Sequence, residues 1–408
     1  MEEKRIEQSE KPKKWRKRIL WGTLIFLVLL VGWSFLFLPA LADRLINRVR
    51  HKSPYKIDPG IQKKYQKIPF IADLHGDSLL WKRNFLKRHN YGHIDLPRMI
   101  EANVGLQVLS MVTKSPFGQN EVSTDGDRPD MVTLITFFQG WPMKTWGSLF
   151  ERGLHQAKRL QQYSQASKGQ LTFVRWKEDL EAFLKRREKN RKITATLLAM
   201  EGAHLLEGKL ENLERMYKEG VRMIATTHFF DNRLGGSAHG LKKGGLTPFG
   251  RKVIKRMQEL GILIDLAHVS AKSIDEILTI TKGPVVVSHT GVRGTCPNDR
   301  NLSDAQIKAI AKRGGLIGLG LWDKASCGKD AAATVRAMRY VKKLVGIEHV
   351  GLGSDFDGAV HAVFDITGLP ILMKAMSDAG FTEKEIHLVM GGNFLRLLKK
   401  HLPSRKQK

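Results

Sequence analysis

Six side chains able to bind a metal or carry a proton, His75, Asp77, Glu201, His268, His289 and Asp355, sit at the ends of short apolar runs. FIADL precedes His75, with Asp77 two residues on; TLLAM precedes Glu201, ILIDLA precedes His268, PVVVS precedes His289 and VGLGS precedes Asp355. Neutral imidazoles and carboxylates suit zinc, and a bridging carboxylate lets two ions sit ~3.5 to 4 Å apart. Such ions lower the pKa of water toward ~7, so that hydroxide is available near neutrality, while a free carboxylate takes up and passes on the proton. Asp355 is the candidate for that last role, with Asp357 of the same turn as its competitor.

Each residue alone has a plainer reading. A histidine and an aspartate two apart often only cap a loop, Glu201 before Gly202 reads equally as a solvated residue, and His268 or His289 as a satisfied core histidine. Number and matching placement decide for one site, because six separate accidents at strand ends are far less expected than one constellation.

Positioning such distant residues requires strands that end together. Short continuous apolar runs bounded by turn residues read as buried parallel strands. Candidates cover 70–74, 104–112, 194–200, 223–227, 262–267, 285–288, 316–321 and 350–353, which is the number a (β/α)8 TIM-like barrel requires. Helix signals fall between them. Thr247 before Pro248 predicts a capped helix start, and Ser303 with Gln306 predicts a capping box closed by Gly314. The stretch between the second and third strands, with Trp141, Trp146, Phe150 and Leu154, predicts extra helices outside the barrel. The expected fold is therefore α/β, one barrel over 68–400, preceded by one transmembrane helix.

That helix is expected at 19–38, ILWGTLIFLVLLVGWSFLFL, an uncharged run long enough for a bilayer core that needs ~20 apolar residues. The basic tail at 1–18, with Lys13, Lys14, Arg16, Lys17 and Arg18, would stay cytoplasmic, leaving the barrel extracytoplasmic in a single-pass cell-membrane protein. Arg44, Arg48, Arg50 and Lys52 weaken that charge asymmetry, and Ala40-Leu41-Ala42 resembles a signal-peptidase site. Retention is expected because the apolar run exceeds the ~7 to 15 residues of a signal-peptide core. Residues 39–67 read as a linker, and the basic tail at 401–408 lacks the hydrophobic end of a lipid-anchor signal. The formal charge of +28 suits anionic surfaces, but no interleaved aromatic and basic motif points to a specific nucleic acid partner. The two cysteines, Cys296 and Cys327, are expected to pair in an exported chain.

Together, DLHGD at 73–77, MEGAH at 200–204, THFFDN at 227–232, DLAHVS at 265–270, SHT at 288–290, RN at 300–301, GSDFDG at 353–358 and GGNFLR at 391–396 resemble the membrane dipeptidase (renal dipeptidase) family of zinc peptidases. The resemblance implies a binuclear zinc centre: His75 and Asp77 on one ion, His268 and His289 on the other, and Glu201 bridging. It further implies that His228 polarises the scissile carbonyl, that Arg300 reads the substrate's terminal carboxylate and that Asp355 handles the water's proton. Cys296 and Cys327 fall where family members have a disulfide. Lys324, where mammalian members have an aromatic contact, and the loop 229–240 depart from the family pattern near the substrate. So does the anchor, which in mammalian relatives is a C-terminal lipid.

The expected activity is hydrolysis of dipeptides, including those with a C-terminal D-residue. The alternatives are another amide, a lactam or a phosphoester on the same centre, or a non-catalytic membrane protein that binds an anionic polymer. Monomer and homodimer both stay open. His89, His93, His155, His204, His239, His349, His361 and His387 are taken as surface or packing residues.

Overall fold

A computed structural model describes residues 11–405; parts of the two expected tails, 1–10 and 406–408, lie outside the described residues. The barrel strands are β1 (Ile71–Asp73), β2 (Val104–Met111), β3 (Thr194–Glu201), β4 (Val221–Ala225), β5 (Leu263–Asp265), β6 (Val286–Thr290), β7 (Leu316–Leu319) and β8 (Val350–Leu352). All pair in parallel with their sequence neighbours, and Leu352 of β8 pairs with Asp73 of β1 to close the ring. An extra short strand, Leu171–Phe173, pairs with the start of β3.

Every residue of β2 and of β3 is buried, as expected when both faces of a parallel sheet are covered. Alternate residues separate into two packed clusters. Ala195, Leu197 and Ala199 join Ala72, Leu106 and Val108 inside the ring, while Leu198 and Met200 pack with Leu213, Met216 and Val253 of the surrounding helices. The expected caps are present: Thr247 accepts from the Gly250 amide at 3.0 Å, and Ser303 and Gln306 cap each other reciprocally. The long connection between β2 and β3 carries the expected extra helices, among them Met131–Phe138 and Leu149–Ala166.

The first helix, α1 (Lys11–Ile46), contains a span, Trp15–Ile46, long and apolar enough to cross a membrane. Pro39 lies inside α1 and has no N–H for the Phe35 carbonyl; Lys82 Nζ donates to that oxygen instead, at 3.0 Å. Phe35 also packs against Phe137 and Phe138, with ring centroids 5.1 and 5.7 Å away.

The stretch read as a linker, 39–67, is largely ordered structure. It holds the end of α1 and a helix, Pro59–Gln66, capped by Asp58 and started by proline. Tyr65 is buried there and donates to the Ala102 carbonyl at 2.6 Å, so lysine-rich composition concealed one apolar face.

Cys296 and Cys327 form a disulfide across a sequence separation of 31, with Cα atoms 5.2 Å apart. Closing a loop of that length restricts the unfolded chain. Replacing both cysteines with alanine is expected to cost about 3 to 4 kcal/mol, read as a lower urea unfolding midpoint with unchanged slope.

Candidate metal centre

Strand ends deliver the site. Glu201 is the last residue of β3, His289 lies within β6, and His75, His268 and Asp355 follow β1, β5 and β8 within three residues. His268 and Asp355 both have φ of 61°, a left-handed turn that swings each side chain back over the barrel mouth. Two buried acids brace these turns. Asp73 accepts from the Ser354 amide at 2.8 Å and from Gln107 Nε2 at 3.0 Å, tying β1 to its neighbours on both sides. Asp265 accepts from the amides of Ala267 and Ser288 at 3.0 and 2.8 Å. Burial pushes Asp73 up to about 6 and raises Asp265 as well.

Glu201 stands at the centre. Its Oε1 is 3.1 Å from His268 Nε2 and 3.4 Å from both His75 Nε2 and His289 Nε2; its Oε2 is 3.7 Å from His228 Nε2. Asp77 Oδ2 lies 3.4 Å and Asp355 Oδ1 3.9 Å from His75 Nε2. Burial alone would raise the Glu201 carboxyl, but the imidazoles of His228 and His75 hold it well below the carboxylate range. Burial and then Arg300 keep His268 well below the usual imidazole value; burial and then His75 do the same for His289. The neutral imidazole favoured by this shift is the form that can offer a lone pair to a metal.

Three groupings bring donor atoms within 4.8 Å of one another: His75, Asp77 and Glu201; Glu201, His228 and His268; and His75, His289 and Asp355. The buried atoms His75 Nε2 and Asp77 Oδ1 have no hydrogen-bond partner. Orphaned buried donors of nitrogen and oxygen type, facing one point, fit a divalent metal.

The rings are held from behind. Ser288 Oγ is 2.9 Å from His289 Nδ1, and His239 Nε2 is 3.0 Å from His268 Nδ1. His239 is fully buried, with its Nδ1 3.0 Å from the Glu121 carbonyl oxygen. The default reading of His239 as a surface or packing residue is thus corrected: it orients an imidazole of the site. It lies in the loop after β4, where no apolar run marks its position.

Asp355 and Asp357, two residues apart, have opposite surroundings. Burial raises the Asp355 carboxyl well above its ordinary value, and the neighbouring Asp77 and Glu201 add to the effect while His75 opposes it. A Cβ at Gly358 would fall 2.0 Å from Asp355 Oδ1, so the turn needs glycine there. Asp357 instead accepts from Ser78 Oγ at 2.5 Å and the His93 amide at 2.6 Å, and pairs with Arg83 NH2 at 2.6 Å. Although burial opposes ionisation, Arg83 and then His93 hold Asp357 at about 2. Arg83 also pairs with Asp43 of α1 at 2.6 Å, Asp43 accepts from Asn47 at 2.8 Å, and Asn47 Oδ1 accepts from the Ala359 amide at 3.0 Å. A buried ionic chain therefore runs from the end of α1 to the turn that carries Asp355.

A cavity of about 470 Å³ opens over these groups. Glu201, His228, Arg300 and Asp355 line its polar side; Leu80, Trp81, Val132, Ile135 and Ile46 of α1 form an apolar wall. Arg300 is buried and anchored by bonds to the His289 carbonyl at 2.7 Å and to Thr290 Oγ1 at 3.3 Å. Lys324 lines the cavity, and so does Trp322, whose ring lies 5.8 Å from that of His289.

A family model described as Membrane dipeptidase (Peptidase family M19) matches residues 63–408. The chain is 26% identical over 421 residues to Dipeptidase aclJ of Aspergillus oryzae, covering 95% of this chain and 90% of that protein. It is 31% identical over 324 residues to Uncharacterized dipeptidase C965.12 of Schizosaccharomyces pombe, covering 76% and 72%. Among solved structures, a metallopeptidase from Rhodobacter sphaeroides, liganded with a phosphinate mimic of the dipeptide L-Ala-D-Ala, superposes with a TM-score of 0.66. It is 25% identical, over 81% of this chain and 99% of that one.

Two outcomes follow from the geometry. Arg83→Leu leaves Asp43 and Asp357 buried without a counter-charge and is expected to destabilise by ~3 to 5 kcal/mol in chemical unfolding. His239→Ala is expected to weaken metal affinity roughly 10- to 100-fold, measured by competition with a chelator of known affinity.

Proposed function

The chain belongs to the membrane dipeptidase family of metallopeptidases, and from that premise we propose a membrane-anchored dipeptidase whose centre holds two zinc ions. The observation that carries this reading is the placing of one Glu201 oxygen within 3.4 Å of three imidazole nitrogens from three strand ends. His75 and Asp77 would hold one ion and His268 and His289 the other, with Glu201 shared. When bound, zinc lowers the pKa of a water and polarises a carbonyl oxygen.

The remaining roles fall to the protein's own groups. Arg300 receives the free carboxylate of the dipeptide through a charge-assisted pair, so a longer chain lacks its partner at that depth. His228, whose basicity burial lowers, donates its ring N–H to the oxygen of the scissile carbonyl. Asp355, with its raised pKa, takes a proton and returns it to the leaving amine. Leu80, Trp81 and Ile135 face the substrate side chains and exclude water. The L-Ala-D-Ala mimic on the Rhodobacter sphaeroides protein supports tolerance of a C-terminal D-residue.

The span Trp15–Ile46 supports a retained anchor, and the basic residues before it support a cytoplasmic N-terminus with the barrel outside. The disulfide agrees with an oxidising compartment.

The test is amino acid release by the zinc-loaded full chain from L,L and L,D dipeptides and matching tripeptides, beside a chelated control and Glu201→Ala. Cleavage confined to dipeptides and abolished by chelation is expected, with two zinc ions per chain by elemental analysis. Arg300→Ala is expected to lower kcat/KM about 10- to 100-fold, mainly through KM. Turnover of phosphoesters without peptide turnover would instead assign a different scissile bond.

A further inference from the structure

We infer that a basic cleft beside the end of α1 binds the headgroup of an anionic phospholipid at the outer face of the membrane. This rests on the reading of α1 as a retained anchor. The cleft encloses about 1260 Å³, and Arg44, Arg48, Lys52 and Arg88 line it. None of these residues belongs to the metal centre.

The charge there is unbalanced. Arg50, from the same run, pairs with Asp323 at 3.0 Å, and Arg98 behind the cleft pairs with Asp95 and Asp365 at 2.8 and 3.0 Å. Arg88 pairs with the exposed Glu101. Arg44, Arg48 and Lys52 have no acidic partner among the described residues. The Arg44 guanidinium stacks 4.7 Å over the Tyr91 ring and donates to Asn90 at 3.3 Å, which holds it at the cleft. Asp365, the acid that lines the cleft, is already taken by Arg98 and by Thr367 Oγ1 at 2.6 Å.

Depth fits a headgroup. At 1.5 Å per helical residue, Arg44 stands about 9 Å beyond Leu38, where the apolar run ends. The headgroup layer occupies roughly 5 to 8 Å on each side of the hydrocarbon, within reach of long basic side chains that bend toward it. Independently, Leu134 and Phe137 stay 49% and 37% exposed beside Phe35 of the apolar run, so this flank of the barrel presents an apolar surface at bilayer level. Arginine and lysine together suit a phosphodiester, which offers charge and several acceptor oxygens.

The test reconstitutes the full chain in nanodiscs of phosphatidylcholine with or without phosphatidylglycerol and counts lipids retained after extraction by native mass spectrometry. Wild type is expected to retain phosphatidylglycerol about tenfold over phosphatidylcholine. Arg44→Gln/Arg48→Gln/Lys52→Gln is expected to lose that preference while hydrolysing dipeptides at the wild-type rate. Equal retention of the two lipids by wild type, or an unchanged preference in the triple variant, overturns the site. Displacement of the lipid by inorganic phosphate at equal concentration assigns a soluble anion and overturns the lipid. Release of the chain from membranes by alkaline carbonate overturns the anchor and the lipid site together, whereas a chain that stays bound without lipid preference overturns the site alone.

Discussion

A carboxylate that is 3% exposed cannot remain ionised without compensation, and Glu201 is such a group. Four imidazoles from separate parts of the chain surround it, none its neighbour in sequence, and His228 and His75 contribute most to holding it ionised. Bringing them within 4 Å requires β1, β3, β4, β5 and β6 to end at one level. The parallel barrel supplies that geometry, and Asp73 and Asp265 lock it by accepting amides from adjacent strand ends. The same enclosure that keeps His268 and His289 neutral raises Asp355. Specific partners reverse the effect of burial at two groups of the same pocket: Asp77 and Glu201 raise His75, and His228 and His75 lower Glu201.

The strand runs and the donor set were legible because both depend on local order: apolar runs of strand length, each ending in a polar residue that has no reason to be buried unless something holds it. Helix starts at Thr247 and Ser303 were legible for the same reason, since a cap is a short-range hydrogen bond. His239 was not. It sits in a loop whose path is fixed by contacts with His268 and with Glu121, and sequence spacing carries no record of either. Asp355 and Asp357 could not be separated from sequence, because what distinguishes them is Arg83, more than 270 positions away.

Residues 39–67 illustrate the same limit from the other side. Their lysines and prolines describe a solvated linker accurately for one face, yet Asp43, Asn47 and Tyr65 are buried. What the composition hides is that Asp43 pays its desolvation through Arg83, which Asp357 shares. The end of α1 is therefore bound to the turn that carries Asp355 by charge and to the cavity over the candidate centre by Ile46. Moving or deleting this turn of helix would disturb the site, although none of its residues belongs to the candidate donor groupings.

That coupling bears on whether the N-terminal segment is retained. A cut after Ala42 would place a new α-ammonium on Asp43, a residue 1% exposed, within a helix that continues unbroken from Lys11 to Ile46. The Asp43 amide would lose its place in the helical ladder, and the part of the helix left, 43–46, is a single turn too short to hold itself. Asp43 and Ile46 would then lose the helix that holds one against Arg83 and the other at the cavity wall. Uncut, the same residues need no rearrangement, so the packing of this turn favours the continuous helix that an anchor requires.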